Sequence, residues 1–137
     1  MKIAGVKIIG VLVAAVVAYA IGALYYGLLF ADLWKKLTGV TEANMQGEMW
    51  RMSISWIMPL VISFAIAKRN NALNIQSLIS SAKSGFAIGL LLTLGARLYT
   101  FVYSAEPLEL FILDGIHLVI ISTAIGIVHS IMKTASE

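Results

Sequence analysis

Four long apolar stretches separated by short polar connections set the layout of this chain, at about residues 7–30, 50–67, 83–103 and 108–131. A hydrocarbon core about 30 Å thick is crossed by roughly 20 helical residues, so each stretch is predicted to be a membrane-spanning helix. The intervening connections run to about 19, 15 and 4 residues. They leave no room for a second domain. Residues 1–137 are therefore read as one all-α domain, a four-helix bundle with the lipid bilayer as its solvent.

The connections carry signals of their own. Asp32-Leu33-Trp34-Lys35-Lys36-Leu37 places charged and apolar positions as an interfacial helix does, and Gly39 is positioned to end it. Trp34 is expected at headgroup depth. Thr41 is a candidate N-cap for a short helix running into Trp50. Ser104-Ala105-Glu106-Pro107 reads as a tight turn with proline at a helix start, making spans three and four an antiparallel hairpin. Pro59 removes a backbone hydrogen bond inside span two, frees the Ser55 carbonyl and is expected to kink the helix beside Trp56.

Small residues recur at four-residue spacing as Ala14, Ala18, Gly22 and as Gly85, Gly89, Thr93. Such stripes let helices approach closely, within a chain or between copies. Two of them on so small a bundle predict a homo-oligomer, a dimer first. The second stripe continues to Arg97 on the same face, which turns that arginine toward a helix contact. Gly22-Ala23-Leu24-Tyr25-Tyr26 resembles Gly95-Ala96-Arg97-Leu98-Tyr99, and 61–67 resembles 120–126. The two hairpins could therefore be related by a pseudo-two-fold axis along the membrane normal.

Composition sharpens this picture. The chain is 60% hydrophobic and 12% charged, with mean hydropathy +0.91, too apolar for an ordinary soluble core of this size. It has no cysteine, which excludes disulfides, thiolate catalysis and cysteine metal sites. The net charge of +3 resides mostly in flanking lysines and arginines, and no basic stripe with interleaved aromatics suggests nucleic acid. Lys2, Lys7 and the Ala18-Tyr19-Ala20 triplet resemble a signal peptide, but the apolar run continues to Phe30, so a retained first span is expected.

The positive-inside rule orients the bundle. Lys2, Lys7, Lys68, Arg69, Lys83 and Lys133 flank the side with both termini, against Lys35, Lys36 and Arg51 on the other. Both termini are therefore expected in the cytoplasm. The opposite side also carries Asp32, Glu42, Glu48, Glu106 and Glu109.

The exceptions to the apolar pattern are Arg97, Asp114 and His117. A charge in lipid costs on the order of 2.5–3.5 kcal/mol on insertion scales, so each needs a partner. Arg97 precedes Tyr103 by six residues and Asp114 follows Leu108 by six. Both then lie roughly 9 Å inside the same boundary, at 1.5 Å per residue, and can pair across the hairpin. His117 is one turn from Asp114 on the same face, and Tyr26, Ser55 and Trp56 fall at similar depth. Two readings stand. In one, Arg97 and Asp114 are a static staple with His117 a bystander. In the other, the layer binds or passes a small solute, ion or lipid headgroup. There Arg97 would hold an anionic group, His117 would act as a titratable gate, Tyr26 and Trp56 would form walls, and Ser55 would line the site.

His129 is expected to favour the C-terminal end of its helix. One His and one Asp three residues apart make at most half a metal site, and neither a catalytic triad nor a phosphate loop is present. Neither cofactor, metal nor enzymatic activity is predicted.

The run Ile21-Gly22-Ala23-Leu24-Tyr25-Tyr26-Gly27-Leu28-Leu29-Phe30, with Trp34, Lys35 and 37–42, resembles a family of small bacterial four-span membrane proteins classed as a domain of unknown function. Members show Gly-Ala-Leu-Trp-Tyr, then Pro-Leu-Leu-Phe, then a tryptophan. Residues 107–118, with Asp114 and His117, resemble the family's last span. Here Tyr25 stands where tryptophan is usual, and Gly27-Leu28 replaces a Ser-Pro step. The resemblance implies four spans and an inner-membrane location, and no activity. The alternative to ligand binding is an accessory or structural subunit docking on a larger membrane partner.

Overall fold

The computed structural model describes residues 2–47 and 49–134. Glu48 lies outside them, as does the side chain of Lys133, so neither flanking charge has a described position. The chain is a helical bundle with four helices long and apolar enough to cross a membrane: Ile8–Leu29, Trp50–Ala72, Leu78–Tyr103 and Leu108–Met132. They alternate in direction. One end of the bundle, the terminal end, carries the N-terminus, the end of span four and the second connection. The other, the distal end, carries the first and third connections.

Span one consists of α1 (Ile8–Leu24) and a π-helical turn at Tyr25–Leu29. An amphipathic helix α2 (Ala31–Thr38) follows and stops at Gly39, whose φ of +67° suits a residue without Cβ. Its Asp32, Lys35 and Lys36 are exposed, while Trp34 and Leu37 turn inward. The Thr41 hydroxyl accepts from Asn44 N at 3.3 Å and caps α3 (Glu42–Gly47), as expected.

Span two is not one kinked rod. It comprises α4 (Met49–Ile54) and α5 (Ile57–Ala72), interrupted at Ser55-Trp56. Pro59 is the third residue of α5, where its missing N–H matters least, and the chain resolves the ring's clash by breaking the helix before it. The Ser55 hydroxyl donates to the Met52 carbonyl at 2.6 Å across the break. At its other end the helix runs five residues past the apolar stretch. Lys68 to Ala72 contain no breaker, and the turn closes only where Asn74 adopts φ +51° and Ile75 N reaches Asn70 O at 2.9 Å.

Span three starts at Ser77, whose hydroxyl caps α6 (Leu78–Leu92), and continues through a second π-helical turn, Thr93–Arg97, into α7 (Leu98–Tyr103). After the tight turn, Pro107 precedes α8 (Leu108–Thr134). Both π turns fall in the distal parts of odd-numbered spans.

The core is built from spans one, two and four: Ala14 and Ala18, Ile62 and Ile66, Leu118, Ile121 and Ile125. Span three packs along span four and reaches this core through the half-buried Ile88 and Leu92. Their backbones touch, because a Cβ on Gly85 would collide with the Ser122 carbonyl and one on Gly126 with the Ser81 carbonyl. Ala14 and Ala18 are likewise almost fully buried within the chain. Both small-residue stripes are thus spent on internal contacts, and they give no reason for a second copy.

An element absent from the apolar pattern precedes span one. Strands β1 (Lys2–Ile3) and β2 (Val6–Lys7) form a minimal antiparallel hairpin around Ala4-Gly5, both at positive φ. Lys68 Nζ donates to Ala4 O at 2.9 Å and Asn71 Nδ2 to Gly5 O at 3.1 Å. Val6, 1% exposed, packs with Val11 and Ala67.

Candidate functional site

Span three delivers Arg97 to the face of span four, where its Nη2 lies 2.8 Å from Asp114 Oδ2. The expected pair across the hairpin is therefore formed. It is not alone: the same nitrogen also binds Glu106, and Nη1 donates to Thr100 Oγ1 at 3.1 Å. Glu106 read as a surface acid of the turn. Because that turn is so short, the residue before Pro107 falls back over the end of span three and reaches the guanidinium.

Span one closes the cluster. Tyr26 donates its phenol to Asp114 Oδ1 at 2.7 Å. It is a hydrogen-bond donor to the ion pair, and its ring also flanks His117. Tyr25, absent from the expected site, donates to Leu113 O at 2.9 Å and is 5% exposed. The π turn beginning at Tyr25 lets two consecutive tyrosines address span four, an arrangement that a regular 100° step does not offer. Phe30, Trp34 and Leu37 cover Tyr25 from the first connection.

His117 lies one turn below Asp114, enclosed by both tyrosine rings at centroid distances of 5.2 and 4.7 Å. It is 6% exposed, and its Nε2 is buried without a hydrogen-bond partner. Gly22 makes room for it: a Cβ there would lie 3.1 Å from that nitrogen.

Ser55 and Trp56 do not join this cluster. The Trp56 ring stacks on Tyr19 at 3.7 Å, and the Ser55 hydroxyl reaches Tyr19 Oη at 3.5 Å. The helix break before Pro59 turns this pair toward the middle of span one, about two helical turns deeper than Tyr26. Matching depth along the chain did not reveal that rotation.

Arg97 is also not free to clamp an external anion, since both terminal nitrogens serve the chain's own groups. One cation shared by two carboxylates leaves the cluster a full unit negative while His117 is neutral. Among the described residues no three His, Asp or Glu side chains converge to hold a metal ion. The charge this arrangement can most readily accept is a proton's.

A second polar cluster lies at the terminal end. His129 was expected to serve the end of its own helix, but its ring crosses to span two. Its Nε2 lies 3.0 Å from Ser63 Oγ and 3.1 Å from Ser63 O. A cavity of about 470 Å³ opens beside it, between the N-terminal hairpin, span two and the end of span four.

The family model described as Protein of unknown function (DUF1761) matches residues 9–130. No curated protein and no solved structure matches the chain.

Proposed function

Because this chain belongs to the DUF1761 family, whose function is unknown, we infer its role from the site itself: an ion-binding membrane protein that takes up a proton at the distal cluster. The reading is carried by one observation, the buried and unpartnered His117 Nε2 next to a cluster with one carboxylate too many. Buried polar atoms in native proteins are nearly always satisfied, so an orphaned one calls for a reason. A proton on His117 would balance the Arg97–Glu106–Asp114 charge and lower the cost of holding it inside a bilayer. The groups facing the ring are Tyr25 and Tyr26 from span one and Asp114 from its own helix.

The test is a pH jump on proteoliposomes adsorbed to a solid-supported membrane. Wild type is expected to give a transient charge displacement that His117→Gln and Asp114→Asn remove. Equal transients in all three proteins would refute the reading.

A second reading, an accessory or structural subunit without transport, is favoured by the closed pairing of Asp114. Both its oxygens and both terminal nitrogens of Arg97 are engaged. It predicts loss of stability without charge movement in the same variants.

The wider setting we propose is a bacterial inner membrane with both termini cytoplasmic, supported by the lysine and arginine count. A homodimer, if formed, would use the outward face of span three, where Phe86, Leu90, Leu94 and Leu98 are exposed at four-residue spacing. Crosslinking in native membranes that traps only monomer would remove it.

A further inference from the structure

We propose that the cavity at the terminal end binds a phosphate-bearing anion, held between the N-terminal hairpin and the ends of spans two and four. Its size, about 470 Å³, is that of a small-ligand site. It is lined by Lys2, Lys7, Asn70, Asn74, Ser81 and His129, among others, and none of its lining residues is acidic. The segregation extends beyond the cavity. Among the described residues every carboxylate side chain, from Asp32 to Asp114, belongs to the distal end, while Lys68, Arg69 and Lys83 join the lysines at this one.

A buried and a half-buried side chain show how the cavity is equipped. Arg69 donates to the Ser84 hydroxyl, and that hydroxyl donates to Asn70 Oδ1, at 2.5 Å. Asn70 is 5% exposed, and its Nδ2 is left as a donor with no partner. Two turns earlier on the same helix, the Ser63 hydroxyl donates to Val11 O at 3.0 Å and must accept from His129 of span four, which points the Nε2 proton at Ser63. The other ring nitrogen, Nδ1, faces Gly10, itself part of the cavity lining. Lys2, on the exposed side of the hairpin, supplies a flexible ammonium at the mouth.

An anionic oxygen satisfies the orphaned Asn70 amide in a cavity whose lining holds no carboxylate side chain. The chemistry is the same for a free phosphate compound and for a lipid headgroup of the adjacent leaflet, where basic pockets between helix ends bind such groups. The site uses no residue of the distal cluster, so its fate is independent of the proton reading.

The full chain in phosphatidylcholine nanodiscs is titrated with inorganic phosphate by calorimetry. In parallel, native mass spectrometry measures retention of phosphatidylglycerol against phosphatidylcholine. Asn70→Asp keeps the oxygen that Ser84 needs and adds a repelling charge; Lys2→Glu reverses the charge at an exposed position that carries no core packing. Phosphate binding points to a soluble ligand, and selective phosphatidylglycerol retention to a headgroup. In either case the binding should weaken at least tenfold in a variant that keeps the wild-type melting temperature. Binding of neither probe, or a smaller change in both variants, overturns the proposal.

Discussion

Tyr26 and Asp114, 88 positions apart, are joined by a 2.7 Å hydrogen bond from the phenol to Oδ1, while Asp114 Oδ2 lies 2.8 Å from Arg97. The carboxylate thus ties span one and span three to the same turn of span four. Removing the phenol in Tyr26→Phe should cost about 1.5–3 kcal/mol, as for a hydrogen bond to a charged group. Asp114→Asn should cost at least as much, because Arg97 then loses one of its two carboxylate partners. The double variant should fall short of additivity by about 0.5 kcal/mol or more, measured by thermal unfolding in nanodiscs. Strict additivity would mean that the two side chains act separately.

Much of this site was legible because membrane depth is a one-dimensional quantity. Counting residues from Tyr103 and Leu108 is enough to place Arg97 opposite Asp114. Rotation about the helix axis is not one-dimensional, and in spans apolar on every side nothing in the sequence fixes it. Trp56 and Ser55 therefore differ from expectation in both depth and direction, meeting Tyr19 instead of the Tyr26 cluster, because the break before Pro59 resets the helix phase. Tyr25 was missed because a π turn leaves no mark in a run such as Tyr-Tyr-Gly-Leu-Leu. The fold itself was written in the length of the apolar stretches, whereas the hairpin at Lys2–Lys7 was hidden by its brevity.

Backbone contact between spans three and four makes a specific demand on Gly126. Gly126→Val must push the Ser81 carbonyl away and is expected to cost about 1–3 kcal/mol by overpacking. The check is the melting temperature beside Gly27→Ala, where a Cβ meets nothing within 4 Å and little change is expected.

Gly22 is expected to act through His117. In Gly22→Ala the new methyl group would crowd Nε2, so the His117 ring resonances should move in the NMR spectrum while those of His129 stay in place. Unchanged His117 resonances would show that the ring is not held against span one.

Val6 anchors the N-terminal hairpin with 1% of its surface exposed. Val6→Asp buries an unpaired charge and should release residues 2–7 from span two. Hydrogen exchange of their amides would then speed up by orders of magnitude, with span four unaffected. Protection equal to wild type would mean that the hairpin does not depend on this contact.

The account turns on whether His117 is the group that balances the Arg97–Glu106–Asp114 cluster. Selective ¹⁵N labelling of histidine, with the protein in bilayers and spectra recorded from pH 5 to 8, reads its ring nitrogens directly. The account predicts that His117 Nε2 passes from neutral to protonated resonances as the pH is lowered, and that Asp114→Asn changes the titration. A single neutral resonance throughout, identical in the variant, would contradict it.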